Sequence, residues 1–95
     1  IGPSEVESVL HEHDALAESA AVASSDELRG NIVKAFVVLA DGYEASDDLV
    51  LELQRHVRET TAPYKYPREI EFRESLPKTI SGKIRRVELR AREAG

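Results

Sequence analysis

Cysteine is absent from this 95-residue chain. That excludes a disulfide framework and any thiolate metal site, and it fits a reducing compartment. Long apolar runs are absent as well. None approaches the ~18–20 residues that a membrane span needs, so no membrane partner is expected. No signal-peptide pattern opens the chain. It starts on Ile-Gly-Pro-Ser-Glu without a methionine, which suggests a fragment or a processed form. There is no internal repeat, low-complexity tract or Gly/Ser linker to divide it. Aromatic residues are few, two Phe and three Tyr, and none lies among the basic residues between positions 78 and 92. Without aromatics to stack on bases, a nucleic-acid platform there is disfavoured.

What is present fits one small domain, 41% hydrophobic and 33% charged. Such a chain buries only roughly 60–65% of the surface its unfolded form exposes, so its margin of stability is thin. The net charge of −5 hides an asymmetry. Residues 1–63 carry four basic side chains against thirteen acidic ones, a balance of −9, and residues 64–95 carry nine against five, a balance of +4. A basic end on an acidic body suggests a local anion site more than a general nucleic-acid binder.

Periodicity supplies the elements. Residues 2–13 read as a helix with Ser4 as its cap, Glu7 completing a capping box, and Val6, Val9 and Leu10 on one face. Residues 16–24 read as a strand. Residues 31–40 are β-branched and nearly all apolar, the pattern of a central strand covered on at least one face. Ser46 caps a second helix, with Asp47 and Asp48 where the helix dipole favours negative charge. Leu49, Val50, Leu53 and Val57 form its inner face, and Pro63 and Pro67 end it by about Thr61. Residues 68–73 alternate as a half-buried strand. An irregular stretch follows, and the chain ends in a basic helix. The order is α-β-β-α-β-loop-α, an α+β fold. The expected architecture is a small three-stranded sheet, with an extra short hairpin near Lys83, flanked by about three helices.

Several residues qualify as sites. Gly82 permits a tight turn with positive φ, and Ser81 can bond the backbone locally, so Lys83 projects its ammonium from the body. Such a group suits negative charge on phosphate or carboxylate oxygens; the alternative is a solvated lysine at a hairpin tip. The spacing is not that of a phosphate-cradling P-loop, because Ile84 stands where Ser or Thr is required. Lys78, Lys83, Arg85, Arg86, Arg90 and Arg92 form either a solvated face pairing with Glu88 and Glu93, or a surface for a phosphorylated small molecule or an acidic partner. His11 and His13 are two apart and diverge on a helix, and no Cys/His/Asp group has metal-ligand spacing. Tyr64, Lys65, Tyr66 and Pro67 form a connector or a contact surface, with core packing of one Tyr the alternative.

Four stretches taken in order carry a resemblance: "IGPSEVESVL", "ELRGNIVKAFVVL", "APYKYPREIEF" and "LPKTISGKIRRVELR". Together they resemble the C-terminal domain of the adenylate-forming acyl-CoA synthetases, and within that superfamily the acetyl-CoA and the medium-chain or aryl acyl-CoA synthetases. The likeness runs from Ile1 to about Arg92, and "PKTISGKIRR" is its most specific part.

The resemblance implies that residues 1–95 are a mobile lid on a larger N-terminal domain, the chain's main partner, which lies outside these residues. It implies that the parent enzyme converts a carboxylic acid, ATP and CoA to acyl-CoA, AMP and pyrophosphate, using Mg2+. Lys83 matches the lysine that contacts the carboxylate and the α-phosphate during adenylation. Arg58 matches a position where some relatives hold a CoA phosphate, and Gly2 lies beside the loop that borders the pantetheine tunnel. The family's lysine is often acetylated as an off-switch, so an acetyltransferase acting on Lys83 is a further expected partner. The expected location is the cytoplasm or the mitochondrial matrix. By itself the chain is expected to bind none of these cofactors and to catalyse nothing. The rival is a stand-alone interaction module that docks an acidic partner or nucleic acid through its basic C-terminal residues.

Overall fold

The computed structural model describes residues 2–61 and 66–94, the last four of these by backbone only. The β-branched run is the middle of the sheet. β1 (Leu16–Asp26) pairs antiparallel with β2 (Gly30–Leu39), and β2 pairs parallel with β3 (Glu69–Phe72), giving the order β1-β2-β3. α1 (Pro3–His11) precedes the sheet, α2 (Asp47–Thr60) connects β2 to β3, and α3 (Arg86–Ala94) follows it. The expected three-stranded α+β architecture is present, with β2 central.

Neighbouring side chains on a strand point to opposite faces, and both faces of this sheet are used. Ala21, Ala35 and Val37 face α1 and α2, where Val6, Val9, Leu10, Leu53 and Val57 cover them. Ala20, Val22 and Phe36 face the other way, where Leu76 and Leu89 cover them. Phe36, Leu10, Leu53 and Leu89 are among the largest fully buried side chains, each contributing about 1.5–3 kcal/mol by leaving water. The sheet therefore separates two surfaces: α1 and α2 on one side, the loop after β3 with α3 on the other.

Local signals set the element ends. The Ser46 hydroxyl accepts the Leu49 N–H at 3.0 Å and starts α2 as expected. In the turn between β1 and β2, the Asp26 carboxylate accepts the N–H groups of Leu28 and Arg29 at 2.9 and 3.0 Å. Those two bonds, Arg29 first, lower the Asp26 pKa from its ordinary value. The start of α1 differs from expectation. Pro3, with φ already helical, opens the helix one residue before Ser4, and Gly2 is the N-cap with no side-chain bond. Ser4 therefore lies inside the first turn. Glu7 does not close a capping box, because its carboxylate is engaged by Ala21 and Arg86. α1 also ends at His11, so His13 lies beyond it.

Candidate functional site

The Lys83 turn is a small hairpin. Arg85 N–H donates to Pro77 O at 2.8 Å, Lys78 and Ile84 form an antiparallel bridge, and Thr79 N–H donates to Lys83 O at 2.8 Å. The tip closes with Gly82 N–H donating to Thr79 O at 3.0 Å. Gly82 has φ +88°, a left-handed conformation that other residues adopt only at a cost, and this third loop residue lets the strands close on three loop residues. The Thr79 hydroxyl, 3.1 Å from Ser81 Oγ, also accepts the Lys83 N–H at 3.1 Å. Residues 78–83 are all exposed, while Leu76 and Leu89 bury both ends of the segment beneath Phe36. The result is a pre-formed arm that holds one lysine in solvent.

Three other members of the basic cluster are paired in place, Arg90 is exposed, and the side chain of Arg92 lies outside the described residues. Lys78 Nζ lies 2.6 Å from Glu18 Oε1, Arg85 pairs with Glu88 at 3.7 Å, and Arg86 pairs with Glu7. The Glu7 hydrogen bonds raise the Arg86 pKa above its ordinary value, with burial opposing. Of the two carboxylates expected to pair with this cluster, Glu88 does so, and the side chain of Glu93 lies outside the described residues. The bonds from Lys78 and Arg86 to Glu18 and Glu7 bind the C-terminal segment to β1 and α1. Lys78, Arg85 and Arg86 are thus paired within the domain, and the docking-module rival gains no support from them.

Arg58 lies on the opposite side of the sheet, in the last turn of α2. Its guanidinium carbon sits 4.7 Å from the Tyr66 ring centre, and that of Arg68 sits 4.4 Å from the same ring. Tyr66 packs against the core cluster of α1 and α2. Neither arginine makes an ion pair among the described residues. Two guanidinium groups thus stand on one ring, neither of them ion-paired among the described residues, and present positive charge beside a planar group. Tyr66 and Arg68 were not singled out from sequence as an anion site; the signal was a tyrosine followed within two residues by an arginine. Tyr64 and Lys65 lie outside the described residues. Gly2 begins α1 on this same side, with open space where a Cβ would stand. Thus Arg58 and Gly2 share one side of the sheet, and Lys83 belongs to the other.

Two of the three histidines, His13 and His56, serve structure. His13 Nε2 contacts Glu52 at 2.7 Å, and its Nδ1 accepts the Ala15 N–H at 3.0 Å. His56 Nε2 lies 3.1 Å from Val9 O, and the two rings meet edge-on with centres 5.3 Å apart. They fasten α1 and the turn after it to α2. Among the described residues no group of three His, Asp or Glu could hold a metal ion, and no helix is long and apolar enough to cross a membrane.

Comparison with known proteins decides the family. The model of the AMP-binding enzyme C-terminal domain matches residues 5–83. The chain belongs to that family. Among relatives, the acyl-CoA ligase YtcI of Bacillus subtilis is 66% identical over 93 residues, covering 98% of this chain and 18% of that protein. The mitochondrial acyl-coenzyme A synthetase ACSM3 of Homo sapiens is 59% identical over 95 residues, 98% of this chain and 16% of that protein. Among solved structures, an acyl-CoA synthetase of Brucella canis superposes with a TM-score of 0.94 at 49% identity, covering 99% of this chain and 17% of that one. This AMP-binding C-terminal domain therefore spans 16–18% of the length of these relatives.

Proposed function

We propose that this domain is the mobile C-terminal part of an AMP-forming acyl-CoA synthetase, and that its two sides serve the two half-reactions in turn. One observation carries the reading. The exposed Lys83 hairpin and the Arg58–Tyr66–Arg68 group belong to opposite sides of a single rigid sheet.

In the first half-reaction a carboxylate oxygen attacks the α-phosphorus of ATP, and the bond to the departing pyrophosphate breaks. Negative charge is then shared among the α-phosphoryl, carboxylate and leaving oxygens. Lys83 brings a compact ammonium to that charge from a pre-formed turn, so little reorganisation is needed. In the second, the CoA thiol attacks the acyl carbonyl, AMP leaves, and the thiol proton is lost. Here the domain turns its other side, a rigid-body rotation of a kind that switches many enzymes. Arg58 and Arg68 take a phosphate of the CoA nucleotide, and the Tyr66 ring lies beside it. Gly2 lets the pantetheine pass close to the backbone.

Mg2+ would accompany ATP and supply further charge neutralisation, with ligands from the rest of the enzyme. Acetylation of the exposed Lys83 would remove its charge and silence adenylation, giving an acetyltransferase a means of control. Its detection by mass spectrometry of protein from an acetylating host tests that point. The proposed compartment is the cytoplasm, with the mitochondrial matrix the alternative.

The test uses the full-length enzyme and its Lys83→Ala variant. Pyrophosphate release from acid and ATP should fall by about 10²-fold or more, the scale of removing one key transition-state donor. Thioester formation from preformed acyl-adenylate should persist. Survival of both activities makes Lys83 a surface lysine.

A further inference from the structure

One carboxylate joins the two sides of the domain at the edge of the sheet. β1 is an edge strand, so some of its N–H groups point away from β2 and need other acceptors. Glu7 of α1 supplies one, with Oε1 accepting the Ala21 N–H at 2.9 Å. The Ser19 hydroxyl donates to the Glu7 main-chain oxygen at 3.3 Å. The carboxylate is thereby fixed to the rigid body before it meets its cation. It then takes the Arg86 guanidinium through two bonds, Nε to Oε1 at 2.9 Å and Nη2 to Oε2. A two-point fork of this kind fixes orientation as well as distance. Arg86 is the first residue of α3 and follows Lys83 by three positions.

The hairpin requires a directional tether. Its base is held by the apolar contacts of Leu76, Ile84 and Leu89. Apolar contact is non-directional and leaves the arm free to tilt. On the other arm, the Lys78–Glu18 pair joins single points between side chains 37% and 31% exposed. The Arg86–Glu7 fork is better shielded on its carboxylate side, where Glu7 is 18% exposed.

We propose that Glu7 is a positioning residue for adenylation: through Arg86 it sets the direction in which the hairpin presents Lys83. Glu7 touches neither acid nor nucleotide. The inference rests on the assignment of Lys83 to the first half-reaction. Glu7→Gln keeps an acceptor for the Ala21 N–H and Arg86→Lys keeps a cation beside the carboxylate, so either change leaves the fold in place while breaking the fork. Loss of the fork lets the arm tilt, and a misplacement of about 1 Å at a reacting centre can cost ~10²-fold in rate.

The experiment compares full-length Glu7→Gln, Arg86→Lys, the double variant and Lys83→Ala in both half-reactions. Glu7→Gln keeps an oxygen for the Ala21 N–H but loses the charge, and Arg86→Lys keeps the charge but loses the fork. Each should lower the turnover of pyrophosphate release by about tenfold, part of the ~10² that misplacement can cost. KM for ATP and acid, and thioester formation from preformed acyl-adenylate, should stay unchanged. The double variant should be no worse than the poorer single, because the two residues act as a unit. Full adenylation in both singles overturns the proposal, and so does an equal fall in the two half-reactions, the signature of a merely structural role. If Lys83→Ala still releases pyrophosphate, the lysine assignment fails and takes the proposal with it. If Lys83→Ala is dead while the clamp variants run at full rate, only the positioning role fails.

Discussion

Replacing Gly82 by alanine isolates the contribution of the turn to the chemistry. At φ +88° an L-residue carries a left-handed backbone cost of about 1–2 kcal/mol. Nothing lies within 4 Å of where the new Cβ would stand, so no steric clash adds to it. The turn is exposed, and its ends are anchored separately by Leu76 and Leu89. The penalty therefore falls on the turn's own equilibrium and leaves the core intact. A cost of about 1.4 kcal/mol depopulates the presenting conformation about tenfold. Gly82→Ala in the full-length enzyme should lower kcat/KM for pyrophosphate release by about that factor and spare thioester formation. Gly82→Asn is the control, because asparagine tolerates the left-handed region and should recover part of the loss. If alanine and asparagine lose activity alike, or if both half-reactions fall together, backbone conformation at Gly82 is not what presents Lys83.

Other perturbations have equally definite outcomes. Leu89→Ala empties a fully buried position beneath Phe36 and should cost about 2–5 kcal/mol in a denaturant titration, with a loss under about 1 kcal/mol ruling out α3 as a core element. Arg58→Ala removes a charged hydrogen-bond donor worth about 1.5–3 kcal/mol. It should raise KM for CoA about tenfold or more in thioester formation and leave pyrophosphate release unchanged. The Asp26 carboxylate, its pKa lowered by the Arg29 and Leu28 N–H bonds, stabilises the β1–β2 turn above the ordinary Asp range. That stabilisation disappears as pH falls through the depressed folded value. Protection factors of the Leu28 and Arg29 amides, with the intrinsic pH dependence of exchange divided out, should fall in the wild type as this carboxylate protonates, and Asp26→Asn, which keeps an acceptor oxygen, should remove that fall.

Legibility in the sequence followed the range of the physics. Ser46 and the acids after it announce α2 because capping is settled within four residues. The β-branched run of β2 announces a central strand because burial on both faces demands continuous apolarity. Gly82 announces the Lys83 turn because one backbone angle is at stake. The same local logic misplaced the start of α1, where Pro3 outcompeted Ser4 and Glu7 was claimed by partners distant in the chain. Glu7 and Arg86 are 79 positions apart, so no periodicity links them. The only trace is an acid bordering the apolar stripe of Val6, Val9 and Leu10. Tyr66 and its two arginines likewise meet only after α2 and the segment before β3 are folded together. That Lys83 and Arg58 belong to opposite sides of the sheet follows from strand alternation combined with a topology that spacing alone does not give.

The central claim, that one side of the domain serves adenylation and the other thioester formation, is tested most directly by a crossed comparison. Lys83→Ala and Arg58→Ala are assayed in parallel in the full-length enzyme, each in both half-reactions. The account predicts a double dissociation: Lys83→Ala loses pyrophosphate release and keeps thioester formation, while Arg58→Ala does the reverse at limiting CoA. Two variants that impair the same half-reaction would contradict it.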